Sequence, residues 1–281
     1  MTTEKRSGQG KALSIVRILL AAALVAWVAS RVSFRDRAER RDGAGALLET
    51  REGRAEGSWN APVVPFRESG GTVEALASAE GWHIRPGIGT LFGNLGVGLY
   101  SAGVALFFLT PLLTVVRWRM LLRASRIDPG FGEACRLTWV GLFFNLVVPG
   151  LTGGDVVKAI LVARSTERRE AAVVSVFVDR VIGILVGVVL IARALGDPLP
   201  IRHYLVLVPV ITMLSSAPIA PAGWGVGETL YGEFFRRYGS PLGSSFELGV
   251  ALSLLYRLAW MIVSLPGGVF GLKRQRRVEA G

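Results

Sequence analysis

NLVVPGLTGGDVVKAILVAR, residues Asn145–Arg164, is the stretch on which the fold turns. Both of its arms are largely apolar, but its middle is Pro-Gly-Leu-Thr-Gly-Gly-Asp (Pro149–Asp155). The apolar arm before the break, Leu137–Val148, has 12 residues, and the arm after it, Val156–Ala163, has 8. Neither reaches the roughly 20 residues that an α-helix needs to cross a bilayer. A second segment, Tyr204–Phe235, repeats the pattern with Pro-Ala-Gly-Trp-Gly-Val-Gly-Glu at Pro221–Glu228. Each has an apolar arm, a proline, a glycine-rich turn, an acid and a short helix. Non-helical backbone survives at membrane depth only when it is buried in protein or lines a wet cavity. Paired breaks of this kind point to a transporter-type site near the bilayer midplane.

Working outward, the whole chain is apolar: 281 residues, 51% hydrophobic, mean hydropathy +0.46. That balance predicts an all-α polytopic membrane protein rather than a soluble domain. Its architecture is expected to be about four spanning helices plus two inverted re-entrant helical hairpins, at about 137–164 and 204–235, with one polar extramembrane loop. The net charge of +11 comes from cations that flank apolar runs instead of forming one soluble basic face, so nucleic acid is not an expected partner. One cysteine, Cys135, permits no internal disulfide, and His83 and His203 stand far apart. No metal site and no cofactor are expected from that set.

The organisation follows from composition. Residues 1–30 hold the first transmembrane helix, Leu13–Ser30, preceded by Lys5, Arg6, Lys11 and Arg17. "WVAS" makes a poor cleavage site, so a retained helix is expected rather than a signal peptide. Residues 31–90 carry nine arginines and nine acids with weak periodicity, which reads as a loosely ordered extramembrane loop without enough apolar residues for a core. Residues 91–272 form the membrane core. Helix Leu91–Val116 comes first in it, and Ala171–Leu195 is long enough to span, with Asp179 and Arg180 inside. Phe246–Leu272 spans with Arg257 inside. Residues 273–281 are a basic tail, "KRQRR" among them.

Charge bias sets the orientation. Cations cluster at the amino terminus, at Arg117, Arg119, Arg123, Arg126 and Arg136, at Lys158, Arg164, Arg168 and Arg169, and in the tail. The short outer segments hold only Arg193, Arg202, Arg236 and Arg237. The positive-inside rule then makes both termini cytoplasmic in a multi-pass plasma-membrane protein. If the broken segments were kinked spanning helices, only 164–170 and 196–203 would change sides; the three arginines against one favour hairpins.

The chemistry comes from helix ends and buried charge. After each break a short helix offers free N–H groups and a positive dipole end to an anion, through Gly153 and Gly154 in one elbow and Gly225 and Gly227 in the other. Asn145 suits hydrogen bonding to the first turn. Asp155 and Glu228 stand at these helix starts, as caps or as titratable acids that couple transport. Arg180 and Arg257 either bind a lipid phosphate or neutralise Asp179, Asp155 or Glu228. No residue is assigned to catalysis.

At these residues the chain resembles the flippase-like membrane proteins related to the transmembrane domain of lysylphosphatidylglycerol synthases. The matching pieces are GLFFNLVVPGLTGGDVVKAILVAR, SVFVDRVIGIL, SSAPIAPAGWGVGE and YRLAWMIVSLPGGVFGL, covering about residues 97–272. Two departures stand out: "LVGVVLIARALGDPLP" joins regions between which the family usually has two more helices, and the 31–90 segment is long. The resemblance implies translocation of an anionic lipid, of the aminoacyl-phosphatidylglycerol type or a polyprenyl-phosphate-linked lipid, with membrane lipids and an anionic headgroup as partners. The competing expectations are a membrane enzyme or accessory subunit of polyprenyl-phosphate glycosyl transfer, and a scaffolding remnant. A transporter is expected over an enzyme, since no acidic metal cluster or nucleotide-binding glycine motif is present. A homo-oligomer is left open.

Overall fold

A computed structural model describes residues 3–124, 130–147, 183–215, 220, 223–239 and 244–278. The first hairpin, about 137–164, lies outside the described residues beyond Val147, and so do Gly153, Gly154, Asp155, Asp179 and Arg180. Two units divide the chain, Met1–Tyr100 with Val189–Leu255, and Ser101–Val188 with Tyr256–Gly281.

The first unit opens with α1, Thr3–Arg31, longer than the expected Leu13–Ser30. A five-stranded antiparallel sheet then replaces the loosely ordered loop expected at 31–90. Its strands are β1 Asp36–Arg41, β2 Leu47–Ala55, β3 Val63–Glu68, β4 Val73–Ala77 and β5 Trp82–Arg85, in the order β4-β3-β2-β1-β5. Successive side chains in a strand point to opposite faces, so a few apolar residues at alternate positions suffice. Val64 and Phe66 of β3, Trp82 and Ile84 of β5, Ala38, Ala55 and Leu76 make that buried face. The charged residues that diluted the apolar signal occupy other positions and pair across strands. Arg37 faces Glu52 in the β1–β2 register and meets it at 3.2 Å. Arg85 of β5 reaches Glu39 of β1 at 2.8 Å, and Arg51 reaches Glu49 at 2.6 Å while lying 4.9 Å from the Trp82 ring.

One buried carboxylate ties the sheet to the next helix. Asp36, 1% exposed, accepts hydrogen bonds from the Ala55 N–H at 2.6 Å, the Gly87 N–H at 2.6 Å and the Thr90 hydroxyl at 2.8 Å. Gly87 precedes α2, Ile88–Gly93, so the charge also stands at a helix start. The expected helix Leu91–Val116 is therefore two elements. α2 stops at Asn94, whose side chain donates to the Thr90 carbonyl, and α3, Val97–Ala124, begins three residues later.

Helix α5, Gly183–Ala194, ends in a turn that the sheet grips: the Trp59 indole donates to the Leu195 carbonyl and Asn60 to the Gly196 carbonyl, both at 3.3 Å. Helices α6, Ile201–Ser215, and α7, Val226–Phe234, flank the second break, and a π-helical turn, Phe235–Gly239, extends α7. α8, Phe246–Val278, starts in this unit, where Gly249 lets the Tyr231 carbonyl approach so closely that a Cβ would collide with it. Small residues at such crossings are how helices approach in lipid.

The second unit holds most of α3, all of α4 (Phe131–Val147) and the far part of α8. Phe107 of α3 packs edge-on against Tyr256 at 5.5 Å and lies 5.4 Å from Trp260. The Trp139 indole of α4 donates to the Val263 carbonyl at 3.0 Å, one turn before Pro266. Gly267 then gives the Trp139 carbonyl room that any side chain would fill.

Val97–Val116 and Phe246–Phe270 are long and apolar enough to cross a membrane, at mean hydropathies of 2.0 and 1.8. Only 22% of the first is buried, which is the opposite of a soluble core helix.

Candidate functional site

The second break is the expected site element that the structure describes. Among the described residues α6 has 15 residues and α7 has 9, against the roughly 20 of a span. The rings of Tyr204, near the start of α6, and Phe235, just past α7, lie 6.2 Å apart, so the far ends of the two limbs come together. Between them the chain turns through Gly223 at φ 68° and Gly225 at φ 79°, left-handed values that glycine adopts without a Cβ penalty.

Glu228 is 4% exposed, and its carboxylate accepts the Gly225 N–H at 2.8 Å. It reaches back from the first turn of α7 to the residue before that helix, the acid half of a capping box. The capping alternative for Glu228 is thus present in the geometry. Gly225 rests against α1: a Cβ there would run into Leu24, with the Ala21 carbonyl 3.2 Å away. Ala21, Ala220 and Val226 form the cluster that seats the elbow on α1. Gly227 is buried beside them. Arg257 belongs to the second unit, on α8, where it is partly buried and partnered. Asn145 lies on α4.

Like Asp36, a further buried acid was absent from the sequence expectations. Asp197, 2% exposed, sits in the turn between α5 and α6 and accepts hydrogen bonds from the hydroxyls of Tyr204 and Ser244. Arg193 donates to the Asp197 and Leu199 carbonyls, the latter at 2.7 Å. Burial pushes the Asp197 carboxyl above the ordinary range, against the pull of Ser244, Tyr204, the Leu199 backbone and Arg193. Gly-Asp-Pro marks a turn in the sequence, but nothing local says that Tyr204 and Ser244 converge on its carboxylate.

Charged side chains also gather where α1 ends. Arg31, Arg35, Arg37, Arg85 and Arg236 line one open cleft together with Glu39, Glu233 and Glu247. Burial raises the Glu39 carboxyl less than its hydrogen bonds and charge contacts with Arg41 and Arg85 lower it, so it lies below the usual carboxylate range. Among the described residues no group of three or more metal-ligating side chains occurs.

Against known proteins, residues 87–192 match the family model described as the lysylphosphatidylglycerol synthase TM region. The match takes in α3, α4 and most of α5, and it stops before the second break. Neither a curated protein nor a solved structure matches the chain. The family match and the two apolar helices together identify a membrane protein whose residues 87–192 are related to the lysylphosphatidylglycerol synthase TM-region family.

Proposed function

We propose that the protein is a multi-pass plasma-membrane translocator that moves the headgroup of an anionic lipid across the bilayer. The substrate is an aminoacyl-phosphatidylglycerol or a polyprenyl-phosphate-linked lipid. Both termini are cytoplasmic, and the sheet stands outside the membrane. The observation that carries this reading is the broken helix pair α6–α7. Two limbs with 15 and 9 described residues, a left-handed glycine turn and a buried acid occur in a chain whose other helices expose leucine and valine. Such an interruption is stable in lipid only inside protein or beside a wet cavity, where discontinuous helices bind ions and headgroups.

In this reading the two breaks are re-entrant hairpins. Arg257 and Arg180 offer guanidinium forks to the lipid phosphate. Asn145 and the elbow glycines Gly153, Gly154, Gly225 and Gly227 present polar groups to the headgroup. Asp155, Asp179 and Glu228 couple its movement or fix the elbows.

The test is a vesicle assay with fluorescent phosphatidylglycerol, in which an impermeant reductant reports the share of headgroups outside. Wild-type protein is expected to equilibrate the probe within minutes. Arg257→Ala and Arg180→Ala are expected to stop it. Glu228→Gln keeps an acceptor for the Gly225 N–H, so loss of translocation in that variant separates a charge role from the cap. Wild-type rates in all three variants would remove the site assignment.

A further inference from the structure

The cleft at the end of α1 has a volume of about 220 Å3 and is bordered by two helix ends: Arg31 closes α1, and Phe246 and Glu247 open α8. Trp27 and Phe246 hold those ends together, ring centroids 6.0 Å apart. β1 and β5 contribute Arg37, Glu39 and Arg85, and Arg236 comes from the turn after α7.

The charges around it do not cancel. Glu39 is engaged by Arg41 and Arg85, each at 2.8 Å. Glu233 is engaged by Arg236 at 2.7 Å and Arg237 at 3.3 Å. Arg37 pairs with Glu52 at 3.2 Å. That leaves Arg31 and Arg35, neither of which has a carboxylate partner among the described residues. Arg31 lies 5.3 Å from the Trp27 ring, and Arg35 reaches the Ser69 hydroxyl at 3.5 Å. The third acid of the cleft, Glu247, accepts the Ser33 N–H at 3.3 Å. Two guanidinium groups without a carboxylate partner among the described residues therefore share the cleft with one carboxylate held by a backbone amide.

The cleft also has a depth. Before Arg31, α1 exposes Ile15, Ile18 and Leu19, each by more than half, and Phe246–Phe270 of α8 is long and apolar enough to cross a membrane. Helices of this kind leave lipid at their polar ends, where aromatic rings and arginines meet the headgroup layer. Trp27 and the 77%-exposed Phe34 flank the cleft there. A phosphate is the anion found at that level, and guanidinium forks bind its oxygens in parallel pairs.

We infer that this cleft is a phosphate-binding site at the membrane surface, with Arg31 and Arg35 as its principal donors. The inference needs the chain to be embedded in a membrane and is independent of translocation. The same chemistry could arrive on a lipid or on a soluble phosphate ester. The test is calorimetric titration of the full chain in an uncharged maltoside detergent with three probes: dihexanoyl-phosphatidylglycerol, glycerol phosphate and phosphate-free dihexanoylglycerol. The two phosphate-bearing probes are expected to bind saturably. If the lipid binds more tightly, the source is lipid; equal affinities mean that the headgroup chemistry suffices. Arg31→Gln with Arg35→Gln is expected to weaken binding by about tenfold or more, the scale of losing charge-assisted hydrogen bonds. Glu247→Gln keeps an acceptor for Ser33 and removes the opposing charge, so it is expected to tighten binding by about threefold. Equal affinity for the phosphate-free probe, or an unchanged double variant, would overturn the site. If the double variant does not fold, Glu247→Gln decides: tightening upholds the site, and unchanged or weaker binding overturns it.

Discussion

Leu48 in the sheet and Leu113 in α3 are almost equally bare, 61% and 58% exposed, yet they belong to opposite designs. Around Leu48 the sheet buries alternate apolar side chains and carries arginine–glutamate pairs on its outer surface. Around Leu113 the helix shows Leu109, Leu112 and Val116 outward as well. In water that second surface would be an aggregation site, whereas in lipid it costs nothing. The same exposure is expected to face solvent in one region and hydrocarbon in the other.

The largest expected effect probes how the polar region closes. Asp36→Ala removes the acceptor for two buried N–H groups and one hydroxyl. It should cost about 4 kcal/mol, read as faster proteolysis across the β strands while α3 stays protected. Next is the helix crossing at Gly267. A valine there must push back the Trp139 carbonyl, and it should cost about 3 kcal/mol in thermal unfolding of the purified protein in detergent. A wild-type melting temperature would show that the α4–α8 approach is looser than described.

Matched lysines then test the comparison directly. Leu113→Lys should impair membrane insertion by about 2–3 kcal/mol, while Leu48→Lys should change stability by less than about 0.5 kcal/mol. Equal tolerance at the two positions would erase the distinction between lipid and water. Smaller still is the pH response of the sheet. Glu39 has a carboxyl held below its unfolded value, so its contribution is full above the usual carboxylate range. It is lost as pH falls through the depressed value. Acid unfolding of the sheet should accordingly be flatter in Glu39→Gln than in wild type. Last comes the exposed Arg37–Glu52 pair. A double-mutant cycle there should give a coupling below about 1 kcal/mol.

The two regions also differed in how far their residues announced them. The apolar runs at Val97–Val116 and Phe246–Phe270 and the glycine–proline interruption before Glu228 were visible in the chain, because span length and backbone breakage are local properties. The sheet was not. DRAERR and LLETREGRA read as solvated charge, and the second of them gains its meaning only when Ala55 lies opposite Phe66. Strand pairing is a non-local choice, and a run rich in arginine and glutamate hides it. The notion that 31–90 lacked the apolar residues for a core failed for this reason: alternate positions in five strands supply one.

What the amino-acid order determined by itself, then, was a greasy chain broken before Glu228: where two helices are long and apolar enough to span, and which acid follows the second glycine turn. Only the tertiary structure decided which acids are buried and what holds them. Asp36 takes its donors from Ala55, Gly87 and Thr90, and Asp197 takes hydroxyls from Tyr204 and Ser244. Those partners lie up to 54 residues away in sequence, and a buried charge is stable only where such distant donors converge on it.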